Sequence, residues 1–313
     1  MENRRLGHTK LVVSPVCVGT SPLGSFPAQY GYEVSTEQAI STLRRVFEGP
    51  FTFIDTSNEY GGGESERRIG QAMAQAGGLP QDVVLATKVD PLPGSTDFSG
   101  DRVRASVEES LERLGLDRLQ LVYLHDPEKI SFADGVASGG PLEALIGLRD
   151  QGVIDYIGVA GGPIPLMLQY LDTDAFDAVI SHNRFTLVDQ SALPLIEDAH
   201  RRGVGFVNGA PYGGGMLVKG PDAHPNYCYA PAGEATRDRV RAMERVLTAA
   251  GIPLAAAALQ YSLREERIAA TIVGMSTPER VEQTIELAEW PIPAEVWAEI
   301  EPLAVVGRSG HEV

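Results

Sequence analysis

Short apolar runs rich in β-branched and aromatic residues alternate with amphipathic stretches along almost the whole chain. That alternation constrains the fold most, because repeated strand–helix units bury both faces of each strand in a parallel sheet covered by helices. Eight strands are predicted: SPVCVGT at 14–20, FTFIDTS at 51–57, VVLATKV at 83–89, LQLVYLH at 119–125, DYIGVAG at 155–161, DAVISHN at 177–183, VGFVNGA at 204–210 and AATIVGM at 269–275. Eight such units make an α/β chain that closes into a (β/α)8 barrel, the TIM barrel. Between the runs, apolar residues recur at helical spacing, as in Ala39, Leu43, Val46 and Phe47, or Val103, Val107, Leu111 and Leu114, so each helix has one buried face. Ser35 with Gln38 reads as a capping box, and Gly115, Gly152, Gly203 and Gly251 stand where helix-ending glycines belong. The first strands begin roughly 35 residues apart with no linker between units, so residues 1–313 are expected to form one domain. The rival, an open doubly wound sheet, would normally carry G-x-G-x-x-G after its first strand, and CVGTSPLGS at 17–25 does not match.

Three segments lie outside the repeat: a hairpin from Arg4 to Val13 turning at Gly7-His8-Thr9, a long loop from Tyr212 to Glu234 after strand 7, and an extra C-terminal helix near Pro293 to Leu303. The loop is too long for a mere connection. With Tyr212, Tyr227 and Tyr229 it is either a substrate-binding lid or a surface excursion.

A hydrophobic content of 43% is enough for a large core, and the net charge of −16 repels phosphate backbones and anionic lipid. No nucleic-acid or membrane partner is therefore expected. MENRRLGHTK has no apolar run behind its basic residues, and no stretch approaches the roughly 18 apolar residues of a membrane span, so the cytoplasm is the expected location. Cys17 and Cys228 make no disulfide framework, and the six histidines form no ligand-spaced cluster, so no metal centre is expected. A small molecule is the expected partner; oligomeric state is not readable.

In a (β/α)8 barrel, chemistry sits at the C-terminal ends of the strands. Asp55 ends FTFID, Lys88 ends VVLATK, His125 ends LQLVYLH, and Tyr60 lies in SNEYGGG after the second strand. A free tyrosine, with a pKa of about 10, exchanges protons poorly at neutral pH. A neighbouring ammonium lowers that value; Lys88 can supply it, and Asp55 would keep the lysine charged. His125 can then hydrogen-bond the reacting oxygen. Taken singly, such an Asp is often a helix cap, such a Lys a solvated charge and such a His a core residue. Three neighbouring strands aiming an acid, an amine and an imidazole at one place point instead to a shared site.

These residues lie in IDTSNEYGGGESERRIG at 54–70, ATKV at 86–89 and YLHDP at 123–127, where the sequence resembles the aldo-keto reductases. Asp55, Tyr60, Gly61, Glu64, Gly70, Lys88 and His125 all fit that family's pattern, and the resemblance runs from about Arg5 to Leu303. It implies a barrel enzyme that binds NAD(P)H across the strand ends without a Rossmann domain. Tyr60 would be the acid or base, Lys88 would tune it, Asp55 would pair with the lysine, and His125 would position the substrate oxygen. The implied cofactor contacts begin with Gly19, Thr20 and Asp55. They continue with Ala160, which with Gly161 replaces the family's usual Ser-Asn after strand 5, and with His182 or Asn183 in place of an amide after strand 6. Pro211, Gly214, Gly274, Ser276 and Arg280 complete the set. Ser276 stands where a basic residue often meets the 2′-phosphate, which favours NAD over NADP. NADP stays open, because Arg280 either reaches that phosphate or faces solvent. Tyr60 and His125, with Tyr30, Tyr227 and Tyr229, are the implied substrate contacts.

Within the family, GTSPLGSF at 19–26, YLHDPE at 123–128, VNGAPYGGGML at 207–217 and VGMSTPE at 273–279 look most like the dehydrogenases of L-fucose, L-galactose and related aldoses, with pyridoxal dehydrogenase a close relative. The reaction so implied is oxidation of the C1 hydroxyl of a cyclic aldose to a lactone. The alternatives are an NADPH-dependent reductase of aldehydes or ketones and a slow-turnover regulatory protein that keeps the cofactor.

Overall fold

All eight expected runs become strands in the computed structural model, which describes residues 1–228 and 230–304. The strands are β1 (Val16–Gly19), β2 (Phe53–Asp55), β3 (Val84–Val89), β4 (Leu119–His125), β5 (Ile154–Gly161), β6 (Ala178–His182), β7 (Gly205–Gly209) and β8 (Ile268–Gly274). They pair in parallel in chain order, and β8 returns to β1 with Thr271 opposite Val16, closing the barrel. Strand period is visible in the packing: on β4, Leu121 and Tyr123 join the inner core while Val122 and Leu124 face the helical layer.

The helix signals hold with one difference. Ser35 caps the helix Thr36–Phe47 by accepting from Gln38 N at 3.2 Å. The reciprocal half of the box is missing, because the Gln38 amide donates to the Ser276 carbonyl at 2.8 Å and ties this helix to the chain after β8. Gly115, Gly152, Gly203 and Gly251 all take positive φ after their helices, the conformation that costs glycine least.

The N-terminal hairpin pairs Arg4–Arg5 with Val12–Val13 and pushes Leu6 and Val13, both fully buried, into the inner core. Gly7 has φ +55°, and a Cβ there would lie 2.4 Å from the Gly203 carbonyl oxygen. The Arg4 guanidinium donates to the carbonyls of Leu263 at 2.6 Å and Ile268 at 2.7 Å. The hairpin thus seals the end of the barrel opposite the catalytic strand ends.

The segment after β7 is not a structureless excursion. It holds a 3-10 turn (Gly213–Gly215), a helical turn (Met216–Lys219) and a small hairpin pairing Asn226–Tyr227 with Ala230–Pro231. The expected C-terminal helix runs Ala294–Ile300, with Val296, Trp297 and Ile300 buried. Among the described residues, no single helix is long and apolar enough to cross a membrane.

Candidate active site

The ends of β2, β3 and β4 bring Asp55, Lys88 and His125 to one place. Lys88 Nζ donates to Asp55 Oδ2 at 2.7 Å, the Thr56 carbonyl at 2.7 Å and the Tyr60 hydroxyl at 3.1 Å. These three acceptors match the three protons of an ammonium. Burial works against the charge on Lys88, but the Asp55 carboxylate and Tyr60 oxygen outweigh it and hold the amine above its usual pKa. Burial also pushes the Asp55 carboxyl above its usual range, against the pull of Lys88. With a 2.7 Å contact and a fully bonded ammonium, the pair is ionic at neutral pH.

Tyr60 departs from the expectation of a lowered pKa. Burial raises it and outweighs the opposing effect of Lys88, so the phenol is held protonated. The loop carrying Tyr60 depends on three consecutive glycines at positive φ, Gly61 to Gly63. At Gly61 (φ +66°) a Cβ would lie 2.1 Å from the Gly24 carbonyl oxygen, so only glycine lets this loop lie against the turn after β1.

His125 meets Tyr60 edge to face, with ring centroids 5.9 Å apart. Its Nδ1 lies 2.6 Å from Asp90 Oδ1 and 3.2 Å from Ser57 Oγ, and the Ser57 hydroxyl also donates to Asp90 Oδ2. Burial opposes the charged form of each partner. The pair nevertheless favours the charged form of each: Asp90 is drawn down to about 2 by His125 and Ser57, and His125 is raised by Asp90 and Asp126. Sequence reasoning missed Asp90 and Ser57. The available signal was period two, since Asp90 follows Lys88 at i+2 just past β3 and returns to the same side.

A cavity of about 520 Å³ opens over these groups. Seven of the expected site residues line it: Tyr30, Asp55, Tyr60, Lys88, His125, Ala160 and His182. They are joined by Ser21, Phe26, Ile180, Gly209, Ala210, Ile272 and a charged rim of Glu59, Asp126, Glu128 and Lys129. Burial, with Arg184, His125 and Lys88, pulls His182 down to about 4 against the effect of Asp126, so this imidazole is neutral.

The other expected contacts are placed differently. Thr20 is fully buried, its hydroxyl donating to the Asp55 carbonyl at 2.9 Å, so it braces β2 from below. The Asn183 amide lies 3.0 Å from His182 Nδ1. Gly19 and Gly274 are partners in the β1–β8 register, Pro211 is buried and Gly214 is exposed. Ser276 is half-buried, and Arg280 is exposed with its guanidinium on Gln283 Oε1. Tyr227 does not line the cavity: it is 1% exposed, its hydroxyl lies 2.8 Å from Thr186 Oγ1 and its ring packs over Gly213. Its ring is large and apolar enough that anchoring the loop after β7 wins over facing the cavity. Tyr229 lies outside the described residues.

An acid-paired ammonium beneath a phenol, beside a carboxylate-held imidazole, can exchange a proton with a substrate oxygen and hold that oxygen in place. L-galactose dehydrogenase of Arabidopsis thaliana is 32% identical over 311 residues, covering 97% of this chain and 94% of the relative. Pyridoxal 4-dehydrogenase of Microbacterium luteolum is 27% identical, covering 95% of each chain, and D-threo-aldose 1-dehydrogenase of a Pseudomonas species 29%, covering 85% of this chain and 88% of the relative. An aldo-keto reductase of Bacillus halodurans, solved in its holo form, superposes with a TM-score of 0.80 at 25% identity and covers 97% of both chains. The sequence profile of the Aldo/keto reductase family matches residues 15–304. A match over nearly the whole barrel, with relatives that are dehydrogenases, makes this chain an NAD(P)-dependent oxidoreductase belonging to the aldo/keto reductase family.

Proposed function

We propose that the enzyme oxidises the C1 hydroxyl of a cyclic aldose to a lactone, using NAD. The observation that carries this reading is the Tyr60 hydroxyl held 3.1 Å from the buried Lys88 ammonium at the floor of a carboxylate-rimmed cavity. A hemiacetal hydroxyl is more acidic than an ordinary alcohol, so it suits a phenolic acid–base group, with His125 holding the same oxygen. Glu59, Asp126 and Glu128 at the rim offer acceptors for the hydroxyls of a polyol. The printed activities of the similar L-galactose and D-threo-aldose dehydrogenases support the same substrate class.

The cavity suits a nicotinamide. Ala160, Gly209 and Ala210 form a wall poor in side chains, where a Cβ on Gly209 would lie 3.0 Å from His182 Cβ, and neutral His182 supplies a polar edge. When bound, NAD+ supplies the hydride acceptor and a positive ring whose charge favours phenolate. Ser276, Gln38 and Arg280 would face the adenosine end; the neutral Ser276 and the outward-bonded Arg280 favour NAD over NADP.

A second reading, NADPH-dependent reduction of aldehydes or ketones, has one observation in its favour. The Tyr60 phenol is held protonated, the state that donates to a carbonyl. Incubation with NAD+ or NADP+ and L-fucose, L-galactose, D-arabinose or pyridoxal separates the two. NADH absorbance and a lactone by mass spectrometry, with NAD+ the better oxidant, are expected. No reaction with any of these, alongside rapid reduction of simple aldehydes by NADPH, overturns the sugar reading.

A further inference from the structure

Asp90 is buried, lies outside the family pattern carried by Asp55, Tyr60, Lys88 and His125, and is nevertheless fully engaged in the site. Its carboxylate accepts from His125 Nδ1 at 2.6 Å through Oδ1, and from the Ser57 hydroxyl and Glu59 N (3.2 Å) through Oδ2. Its own backbone is pinned on both sides: the N–H donates to Ser106 Oγ at 3.3 Å, and the carbonyl accepts from Arg102 Nε at 3.0 Å. An ionised carboxylate only accepts, so the proton between Asp90 and His125 belongs to Nδ1 whether the ring is charged or neutral. Nε2 then carries a proton only in the imidazolium.

We propose that Asp90 is a positioning residue of the active site: it holds His125 by Nδ1, so that Nε2 meets the reacting oxygen and its single proton decides whether His125 donates to that oxygen or accepts from it. The inference rests on the catalytic reading of the cavity, not on which substrate fills it. Other groups facing the ring come from every neighbouring element. Asp126 Oδ1 lies 3.7 Å from Nε2, the Lys88 ammonium and the Tyr60 edge stand on the β2–β3 side, and His182 faces it across the cavity. Glu59 and Lys129 pair at 3.3 Å above it, and Lys129 also meets Asp126 at 3.5 Å. Asp126 therefore shares in favouring the cation, but among the described residues only Asp90 contacts Nδ1 as a carboxylate, so Asp90 dictates which nitrogen keeps the last proton.

The test is a pH titration of the histidine rings by ¹⁵N and ¹³C NMR on the intact protein alone, with His125→Gln assigning the resonances. In the wild type, His125 is expected to titrate above the ordinary 6.5 and to carry its proton on Nδ1 once neutral. In Asp90→Asn the amide can donate to Nδ1; the midpoint should fall and the neutral ring should carry its proton on Nε2. Asp126→Asn should lower the midpoint without changing the tautomer. Where a carbonyl is reduced, the high-pH limb of kcat/KM that follows His125 deprotonation should flatten in Asp90→Asn, because the neutral ring of that variant keeps a donor on Nε2. A wild-type ring whose neutral form carries the proton on Nε2 overturns the proposal even if Asp90→Asn does not fold; so does an Asp90→Asn titration and tautomer identical to wild type. Neither NMR result needs cofactor or substrate, so failure here is distinct from failure of the sugar assignment.

Discussion

Replacing Lys88 with methionine tests the electrostatics of the site without any substrate. Lys88 is 2% exposed and Asp55 3% exposed. The substitution keeps the stem's volume but strips Asp55 Oδ2 and the Thr56 carbonyl of their donor. Asp55 Oδ1 already has no hydrogen-bond partner among the described residues, so both carboxylate oxygens would be left bare. Breaking a buried pair by removing one partner costs about 3–5 kcal/mol, a large share of the roughly 5–15 kcal/mol that holds a typical domain together. The loss should depend on pH. Burial already raises the Asp55 pKa above 3.8, and without Lys88 only the weaker pull of His125 opposes it. Between the unfolded and the raised folded pKa the folded variant binds more protons than the unfolded chain, so its stability falls as pH rises. The deficit against wild type should be largest at neutral pH and shrink as pH drops toward 3.8. Urea unfolding from pH 4 to 7.5, on wild type, Lys88→Met and the double variant Asp55→Leu/Lys88→Met, measures it. The double variant should recover most of the loss, because no charge is left behind. A single variant within about 0.5 kcal/mol of wild type at neutral pH, or a double variant no better than the single, would refute the reasoning.

Two further outcomes follow from the same geometry. Tyr60→Phe removes one hydroxyl and keeps the ring, so turnover should drop roughly 10²-fold or more while the urea midpoint stays near that of wild type; near-normal steady-state turnover would displace Tyr60 from its proposed role. Gly61→Ala places a Cβ 2.1 Å from the Gly24 carbonyl oxygen at φ +66°; it should cost about 1–3 kcal/mol and reduce turnover by shifting Tyr60, and full activity would show that this loop does not position the phenol.

The strands were readable because each is an uninterrupted apolar run, and each expected run overlaps its strand to within about three residues at either end, the usual uncertainty of such boundaries. Three of the four catalytic candidates, Asp55, Lys88 and His125, stood out for a related reason: an ionisable residue closing an apolar run has no ordinary place in a core, so its position at a strand end is itself informative. Side-chain direction in loops was not readable. Tyr227 looks in sequence like a lid residue beside Tyr229, yet a two-residue hairpin turns its ring down onto Gly213. Asp90 escaped notice because DPLPG reads as a turn, where aspartate needs no further explanation. The protonated state of Tyr60 depends on how fully the phenol is buried, a quantity no spacing expresses.

The N-terminal hairpin links the order in which the chain is made to the order in which it can be completed. Leu6 and Arg4 leave a ribosome well ahead of their partners, since the carbonyl that Arg4 grips on Ile268 lies 264 residues further on, and β1 cannot find its second neighbour until β8 exists. At ordinary elongation rates of about 5–20 residues per second, that wait is roughly 13–50 s. Throughout it one edge of β1 and the apolar hairpin have no permanent partner, a state that invites association with other nascent chains. Chains ending short of Gly274 would leave the ring open and its seal unseated, and they should accumulate as aggregates rather than as partly active enzyme.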